Sequence, residues 1–284
     1  MPNTGIAGAG IGLRTPHVQQ ILADESIEIP WLEVLADNWL VEGGLNQHLL
    51  MRISERFPLV FHSVGLSLGG ANRLDVDYLN KIKSLKQACG GHWYSEHASF
   101  SGNNDFKVAD LLPLPYTDEA VMHISNRIKQ TQDLLGERML LENVSTYMSC
   151  QYNELSEGEF IAAIAEEADC YLLLDINNAF VTSVNLDQQL QAFLDAVPAK
   201  RVKQIHLAGF HQKDDYLLDA HNHPVDPQVW QAYQNYIQLN GNIPTMIEWD
   251  SEIPTLDRLL QERQIAADMM QFNAKPVAGV DRCA

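Results

Sequence analysis

Basic residues are scarce in this chain of 284 residues, in which 19 Lys and Arg stand against 37 Asp and Glu and the net charge is −18. Because an acidic surface repels phosphate groups, the imbalance argues against nucleic acid as a partner. Long apolar runs are missing too: none reaches the roughly 18 residues of a membrane-spanning helix. The segment from Met1 to Arg14 lacks the basic and apolar parts of a signal peptide. We therefore expect a soluble, cytoplasmic protein that does not enter a membrane.

Cysteine is also rare, and its four positions contain no C-x-x-C pair. This spacing predicts reduced thiols in a cytosolic protein rather than a disulfide framework or a cysteine-rich zinc site. The four residues are Cys89, Cys150, Cys170 and Cys283.

Short apolar runs alternate with longer amphipathic segments along the chain. The predicted strands cover residues 9–13, 31–36, 58–63, 93–100, 138–144, 171–176, 202–208 and 245–249. The first is followed by a helical stretch that ends at residue 22, and the later predicted helices cover 45–56, 76–88, 117–135, 157–168, 186–196, 227–239 and 255–272. Strict alternation indicates a parallel sheet with crossover helices. Because a chain of about 250 residues suffices for eight such units, we predict an α/β protein, a single (β/α)₈ TIM barrel over residues 1–274 with a C-terminal tail at 275–284.

Polar residues end six of the predicted strands. Each apolar run stops at a side chain that can bind a metal: His62, His97, Glu142, Asp175, His206 and Glu248. The strands of a parallel barrel point the same way, so these side chains should meet at the face that holds the active site in known barrels. Carboxylates crowded together raise one another's pKa unless cations are present. Imidazole and carboxylate ligands without thiolate favour iron, manganese or zinc.

A loop between the last two of these strands adds further candidates. Asp219, His221 and His223 lie in the segment LLDAHNHP, although a D-x-H-x-H pattern also fits a turn before a capped helix. With Asp219 and His221 the candidate set exceeds what one ion needs, because a catalytic ion normally takes about three or four protein ligands. We therefore predict two or three metal ions.

Several motifs resemble one known family, the multinuclear non-heme iron-dependent oxidative enzymes, which include the methanobactin-biosynthesis iron oxidase. The resemblance extends over about residues 10–272. The motifs are GLR-x-x-H from Gly12, VFHSVGLSLGG from Val60, WYSEHASFSG from Trp93, LLENVSTY from Leu140, LLDINNAF from Leu173, QIHLAGFH from Gln204, DAHNHPV from Asp219 and IEWD from Ile247.

The resemblance implies a xylose-isomerase-like barrel with two or three irons in mixed Fe(II) and Fe(III) states. It also implies that dioxygen is the cosubstrate, that cysteines of a ribosomally made precursor peptide are modified, and that a separate partner protein recruits this peptide. For the first iron it implies Glu142, Asp175, His206 and Glu248 as ligands. For the second it implies His62 and His97, with Glu142 as a candidate bridge. For the third it implies Asp219 and His221, with Asn178 as a further candidate.

Three other functions fit parts of the pattern. A sugar isomerase or epimerase uses Glu, Asp and His around one or two divalent ions and consumes no oxygen, but usually needs a Lys or His base near the mouth, and no predicted strand ends in Lys. A metal-dependent hydrolase such as a three-zinc endonuclease is disfavoured by the net charge of −18. A non-catalytic metal-binding scaffold would bind metal without turnover.

Overall fold

The chain folds into a closed barrel of eight parallel strands. The computed structural model describes residues 5–41, 43–102 and 107–274, so the predicted tail at 275–284 and Cys283 lie outside the described residues. The barrel strands are β1 (Ala9–Leu13), β2 (Leu32–Leu35), β3 (Leu59–His62), β4 (Tyr94–His97), β7 (Leu140–Glu142), β8 (Tyr171–Asp175), β9 (Val202–Leu207) and β12 (Thr245–Ile247). They neighbour one another in that order, and β12 closes onto β1. The predicted barrel is confirmed.

Two antiparallel hairpins lie outside the barrel and were not predicted. One pairs β5 (Ser99–Gly102) with β6 (Lys107–Pro113), and the other pairs β10 (His211–Gln212) with β11 (Leu217–Leu218). Each follows the C-terminal end of a barrel strand, β4 in the first case and β9 in the second. Both hairpins therefore belong to the barrel face on which active sites form.

Helices connect the barrel strands on the outside. They are α1 (Thr15–Ala23), α2 (Gly44–Ser54), α3 (Val76–Ala88), α4 (Asp118–Leu135), α5 (Glu157–Glu167), α6 (Ile176–Asn185), α7 (Leu190–Ala196), α8 (Pro227–Asn240) and α9 (Leu256–Ala274). No helix in the described ranges combines the length and apolar composition that a membrane crossing requires.

The prediction was wrong about the connection after β8. A single helix was expected at 186–196, but α6 begins directly after the strand, and α7 follows it. The cause is local, because the side chain of Asp175 accepts a hydrogen bond of 2.6 Å from the backbone N–H of Asn178 and so caps the helix. The first turn of α6 consequently places Asn177 and Asn178 next to the strand end.

An apolar cluster fills the N-terminal end of the barrel interior. Trp31 and the strand residues Val60 and Met246 are fully buried and pack together, with Trp93 against them. The Trp31 ring requires glycine at position 10, since a Cβ there would lie 2.6 Å from ring atoms. Side chains two positions apart on a strand share a face. The residues two positions beyond Val60 and Met246, which are His62 and Glu248, therefore point into the same interior, one layer nearer the C-terminal end.

Candidate metal centre

Two histidines from neighbouring strands face one carboxylate. The Nε2 atoms of His62 and His97 lie 3.3 and 3.2 Å from Oε2 of Glu142. The other ring nitrogen of His62, Nδ1, lies 2.8 Å from the hydroxyl of Ser95, which in turn donates to the backbone carbonyl of Phe61. That hydroxyl is thus an acceptor for Nδ1–H, which leaves the lone pair of His62 on Nε2, the atom that faces Glu142.

A second group shares Glu142 with the first. Nδ1 of His206 lies 3.1 Å from Oε1 of Glu142 and 3.0 Å from Oε2 of Glu248. Asp175 completes the group, and ligand atoms of all four residues lie within 4.8 Å of one another. The two oxygens of Glu142 therefore point toward different sets of side chains, Oε2 toward His62 and His97 and Oε1 toward His206. This is the geometry of a carboxylate that can bridge two ions.

A third group forms around the loop histidine. Nδ1 of His221 lies 3.3 Å from Oε2 of Glu248 and 3.0 Å from Oδ2 of Asp250, while Nε2 lies 2.7 Å from Oδ1 of Asp219. The backbone of His221 has a φ of 45°, a left-handed conformation that is uncommon for a side chain of this size. The loop therefore turns sharply at the residue that contacts the segment beyond the end of β12.

The third ligand set implied by the resemblance overlaps only in part with the third group that the structure brings together. Asp219 does contact His221, but it also accepts a hydrogen bond of 2.9 Å from the side chain of Asn177. The side-chain amide of Asn178 donates to the backbone carbonyl of Asn143, and its oxygen remains unpaired among the described residues. Asp250 belongs to the third group although it was not predicted as a ligand. The motif IEWD contained the signal, two residues beyond Glu248.

Several buried atoms at the centre of the cluster lack hydrogen bonds. Among the described residues, five atoms form no hydrogen bond of acceptable geometry: Glu142 Oε2, Asp175 Oδ2, Asn178 Oδ1, His206 Nδ1 and His221 Nε2. The two ring nitrogens lie close to carboxylate oxygens, at 3.0 and 3.1 Å for His206 and 2.7 Å for His221, but do not point a hydrogen at them. Leaving a buried polar atom unsatisfied costs about 1–3 kcal/mol, and more if it is charged. These atoms are oxygens of carboxylate and amide groups and nitrogens of imidazole, all of them good ligands for iron, manganese or zinc. The residues present therefore fit a metal centre with more than one ion.

The ionisation of the cluster supports the same conclusion. Burial raises the pKa of Glu142 and, more strongly, that of Asp175. Glu248 is different, because the adjacent His206 and His221 outweigh its burial and hold its pKa well below the usual range. Burial alone would lower the pKa of His97, but Glu142 and Glu96 raise it to about 9. Glu142 and Asp175 therefore need additional positive charge nearby to remain carboxylates, and metal ions supply such charge.

Glu33 was missed by the sequence interpretation. It lies in β2, is 1% exposed, and its Oε2 lies 3.0 Å from Nε2 of His206. Gln204 also donates to this carboxylate and accepts a hydrogen bond of 2.7 Å from the indole of Trp93. A carboxylate that accepts from Nε2–H of His206 leaves Nδ1 free to bind a metal. The only signal in the sequence was an acidic residue inside the apolar strand WLEVLA.

The remaining histidines lie outside the three groups found in the described part of the chain. His211 and His223 pack against each other with ring centroids 5.1 Å apart. His223, the last residue of the D-x-H-x-H pattern, therefore contacts β10. His17 hydrogen-bonds to the backbone carbonyl of Pro254 at 2.8 Å, in keeping with a packing role.

Comparison with known proteins identifies relatives over nearly the whole chain. The sequence is 45% identical over 263 residues to a UPF0276 protein of Acaryochloris marina, with 93% of this chain and 95% of that one covered. It is 39% identical over 264 residues to a UPF0276 protein of an Anaeromyxobacter species, with 93% of each chain covered.

Solved structures show the same fold at low sequence identity. A xylose isomerase domain containing protein from Salmonella typhimurium superposes with a TM-score of 0.66 at 14% identity and covers 94% of this chain and 99% of that one. A D-tagatose 3-epimerase-like protein superposes with a TM-score of 0.63 at 12% identity, covering 94% and 98%. At these identities the likeness shows the barrel fold alone.

A family model described as the RiPP precursor modification enzyme MbnB/TglH/ChrH matches residues 8–271. RiPP denotes a ribosomally synthesised and post-translationally modified peptide, so this match confirms the family resemblance that the motifs carry. The chain belongs to the MbnB/TglH/ChrH family of enzymes that modify RiPP precursor peptides.

Proposed function

We propose that this protein is a non-heme iron enzyme that uses dioxygen to oxidise cysteine residues of a ribosomally made precursor peptide. The observation that carries the proposal is the sharing of carboxylates, since Glu142 and Glu248 each belong to two of the three ligand groups. One divalent ion would need only one group, whereas linked groups suit two or three irons held close together. Family membership supports a peptide substrate, and a separate partner protein would recruit it.

The ligand set of the proposal follows the geometry. His62, His97 and Glu142 would hold one iron, Glu142, Asp175, His206 and Glu248 a second, and His221 with Glu248, Asp250 or Asp219 a third. When bound, iron in mixed Fe(II) and Fe(III) states supplies the redox chemistry by which dioxygen is reduced to water while the cysteine loses electrons and protons.

The protein's own residues orient these ligands. Glu33 fixes the ring of His206, and Ser95 fixes that of His62. Asn143 joins the ends of two strands, because its side chain donates to the backbone carbonyl of Asp175 and accepts from the N–H of the same residue, at 2.9 and 3.0 Å. Such supporting contacts hold ligands in place before the substrate arrives, so little reorganisation is needed during the reaction.

A metal-dependent sugar epimerase is the second candidate. It is favoured by one observation, the set of Glu142, Asp175, His206 and Glu248, which by itself could hold a single divalent ion. A single-ion epimerase would not need the histidine pair of the first group, His62 and His97, or the group around His221. The two functions differ in dioxygen consumption and in metal content.

The first prediction concerns turnover. With reduced iron, air, the partner protein and its cysteine-containing precursor peptide, the protein should change the mass of the peptide at cysteine and consume dioxygen. The measurement is tandem mass spectrometry combined with an oxygen electrode, and the zinc-loaded protein is the control. An unchanged peptide under these conditions, or equal turnover with zinc, would contradict the iron oxidase proposal.

The second prediction concerns the bridge. Glu142→Gln should lower the iron content by more than one ion per chain, because the substitution weakens two ligand groups at once. His62→Ala should remove about one ion, since it belongs to a single group. Elemental analysis of anaerobically purified protein measures both, with His92→Ala at the opposite end of the barrel as the control. Loss of a single ion from Glu142→Gln would refute bridging.

The third prediction concerns Glu33. Glu33→Gln keeps the side-chain size but removes the acceptor charge that orients His206, so metal affinity should fall roughly 10- to 100-fold. Competition with a chelator measures that affinity, and Mössbauer spectra of an iron-57 sample should change for one iron site only. Unchanged spectra and affinity would show that Glu33 is only a packing residue, and circular dichroism checks that the barrel remains folded.

A further inference from the structure

A cavity lies on the same end of the barrel as the metal centre. Its volume is about 420 Å³. One wall comes from the segment after β7, which includes Thr146, Met148 and Tyr152, and another from the segment around Tyr116 that follows β6. Because helices of a β/α barrel run antiparallel to the strands, the N-terminal residue of α5, Glu157, lies on this end as well. The three ligand groups of the metal centre contain none of these residues.

The carboxylate of Glu157 lines this cavity without a partner. The residue is only 9% exposed and lines the cavity. Among the described residues no hydrogen bond or charged group affects its carboxylate. Burial accordingly raises the pKa of Glu157 to about 8, and no other interaction contributes. A buried carboxylate usually has a partner, because its desolvation is costly.

Helix capping does not account for this glutamate. The N-terminus of α5 already carries a complete capping box, in which Ser156 accepts from the N–H of Glu159 and the Glu159 side chain accepts from the N–H of Ser156. Glu157 takes no part in these hydrogen bonds. The helix N-terminus favours an acidic side chain at this position, but the capping box gives it no hydrogen bond, so the carboxylate can still pair with a cation.

The walls of the cavity are aromatic and apolar. Tyr116, Phe100 and Leu114 contribute to the inner walls, while Tyr152 and Met148 are 69% and 80% exposed. Exposed apolar side chains beside a buried carboxylate suit a long side chain with an apolar stem and a cationic head. A guanidinium group in addition stacks on aromatic rings.

We propose that this cavity binds an arginine or lysine side chain of the peptide substrate, with Glu157 as the ionic partner. The identification of the ligand as part of a peptide rests on the proposed function. The net charge of −18 favours the approach of a basic peptide segment. The cavity would thus hold the peptide at a site separate from the metal centre. It would select substrates that carry a basic residue at a fixed distance from the cysteine.

The test uses small probes and the full metal-loaded protein. Nα-acetyl-arginine methylamide and Nα-acetyl-citrulline methylamide have nearly the same shape, but only the first is charged. We expect the arginine probe to bind at least tenfold more tightly in calorimetry or NMR titration. The pair Nα-acetyl-lysine and Nα-acetyl-norleucine methylamide shows whether lysine serves as well.

Two variants locate the effect. Glu157→Gln should abolish the preference for the charged probe, whereas Glu166→Gln, an exposed glutamate on the same helix, should leave it unchanged. Equal binding of arginine and citrulline by the unmodified protein, no arginine binding at millimolar concentration, or a preference that survives in Glu157→Gln would each overturn the proposal. The readout needs neither dioxygen nor turnover, so its result is independent of the peptide-oxidation experiment.

Discussion

Buried negative charge that must be compensated is the constraint on which this structure depends. Glu142 and Asp175 are almost fully buried, and burial raises the pKa of both. Arg14 supplies positive charge to only one side of the cluster, where its guanidinium lies 3.5 Å from Glu248 and also contacts Asp250. Nδ1 of His206 and Nε2 of His221 face carboxylates without forming hydrogen bonds of acceptable geometry, so both nitrogens are available to bind cations. Metal ions would meet this constraint, and the proposed function accounts for the gathering of so many candidate ligands in one place.

The barrel meets the constraint by dividing its interior into layers. Trp31, Val60 and Met246 form an apolar layer at the N-terminal end, which keeps the polar groups away from that opening. Above it, Glu33 and Gln204 form hydrogen bonds to each other and to His206 in the layer of candidate metal ligands. Because side chains alternate along each strand, one apolar residue on a strand sets the position of the polar residue two places later. The fold therefore brings distant segments of the chain together without requiring long loops.

The sequence predicted the barrel and the six strand-end residues because both depend on local patterns, an apolar run and the polar residue that ends it. Glu33 was missed because an acidic residue inside a short strand has the pattern of an exposed position, and only barrel closure places it beneath His206. The helix α6 was missed because its cap, Asp175, had been interpreted only as a metal ligand. Asp250 was not predicted as a ligand because its contact with His221 joins a loop to a strand end far along the chain. The division of ligands among ions remains a prediction.

The most direct test of the central claim is a crystal structure of anaerobically purified protein, with anomalous diffraction recorded on both sides of the iron absorption edge. The account predicts two or three iron peaks. One should lie near Oε2 of Glu142, His62 and His97, and another near Oε1 of Glu142 and His206. A single manganese, zinc or magnesium site between Asp175, His206 and Glu248, with the histidine pair hydrogen-bonded to Glu142 instead, would contradict it.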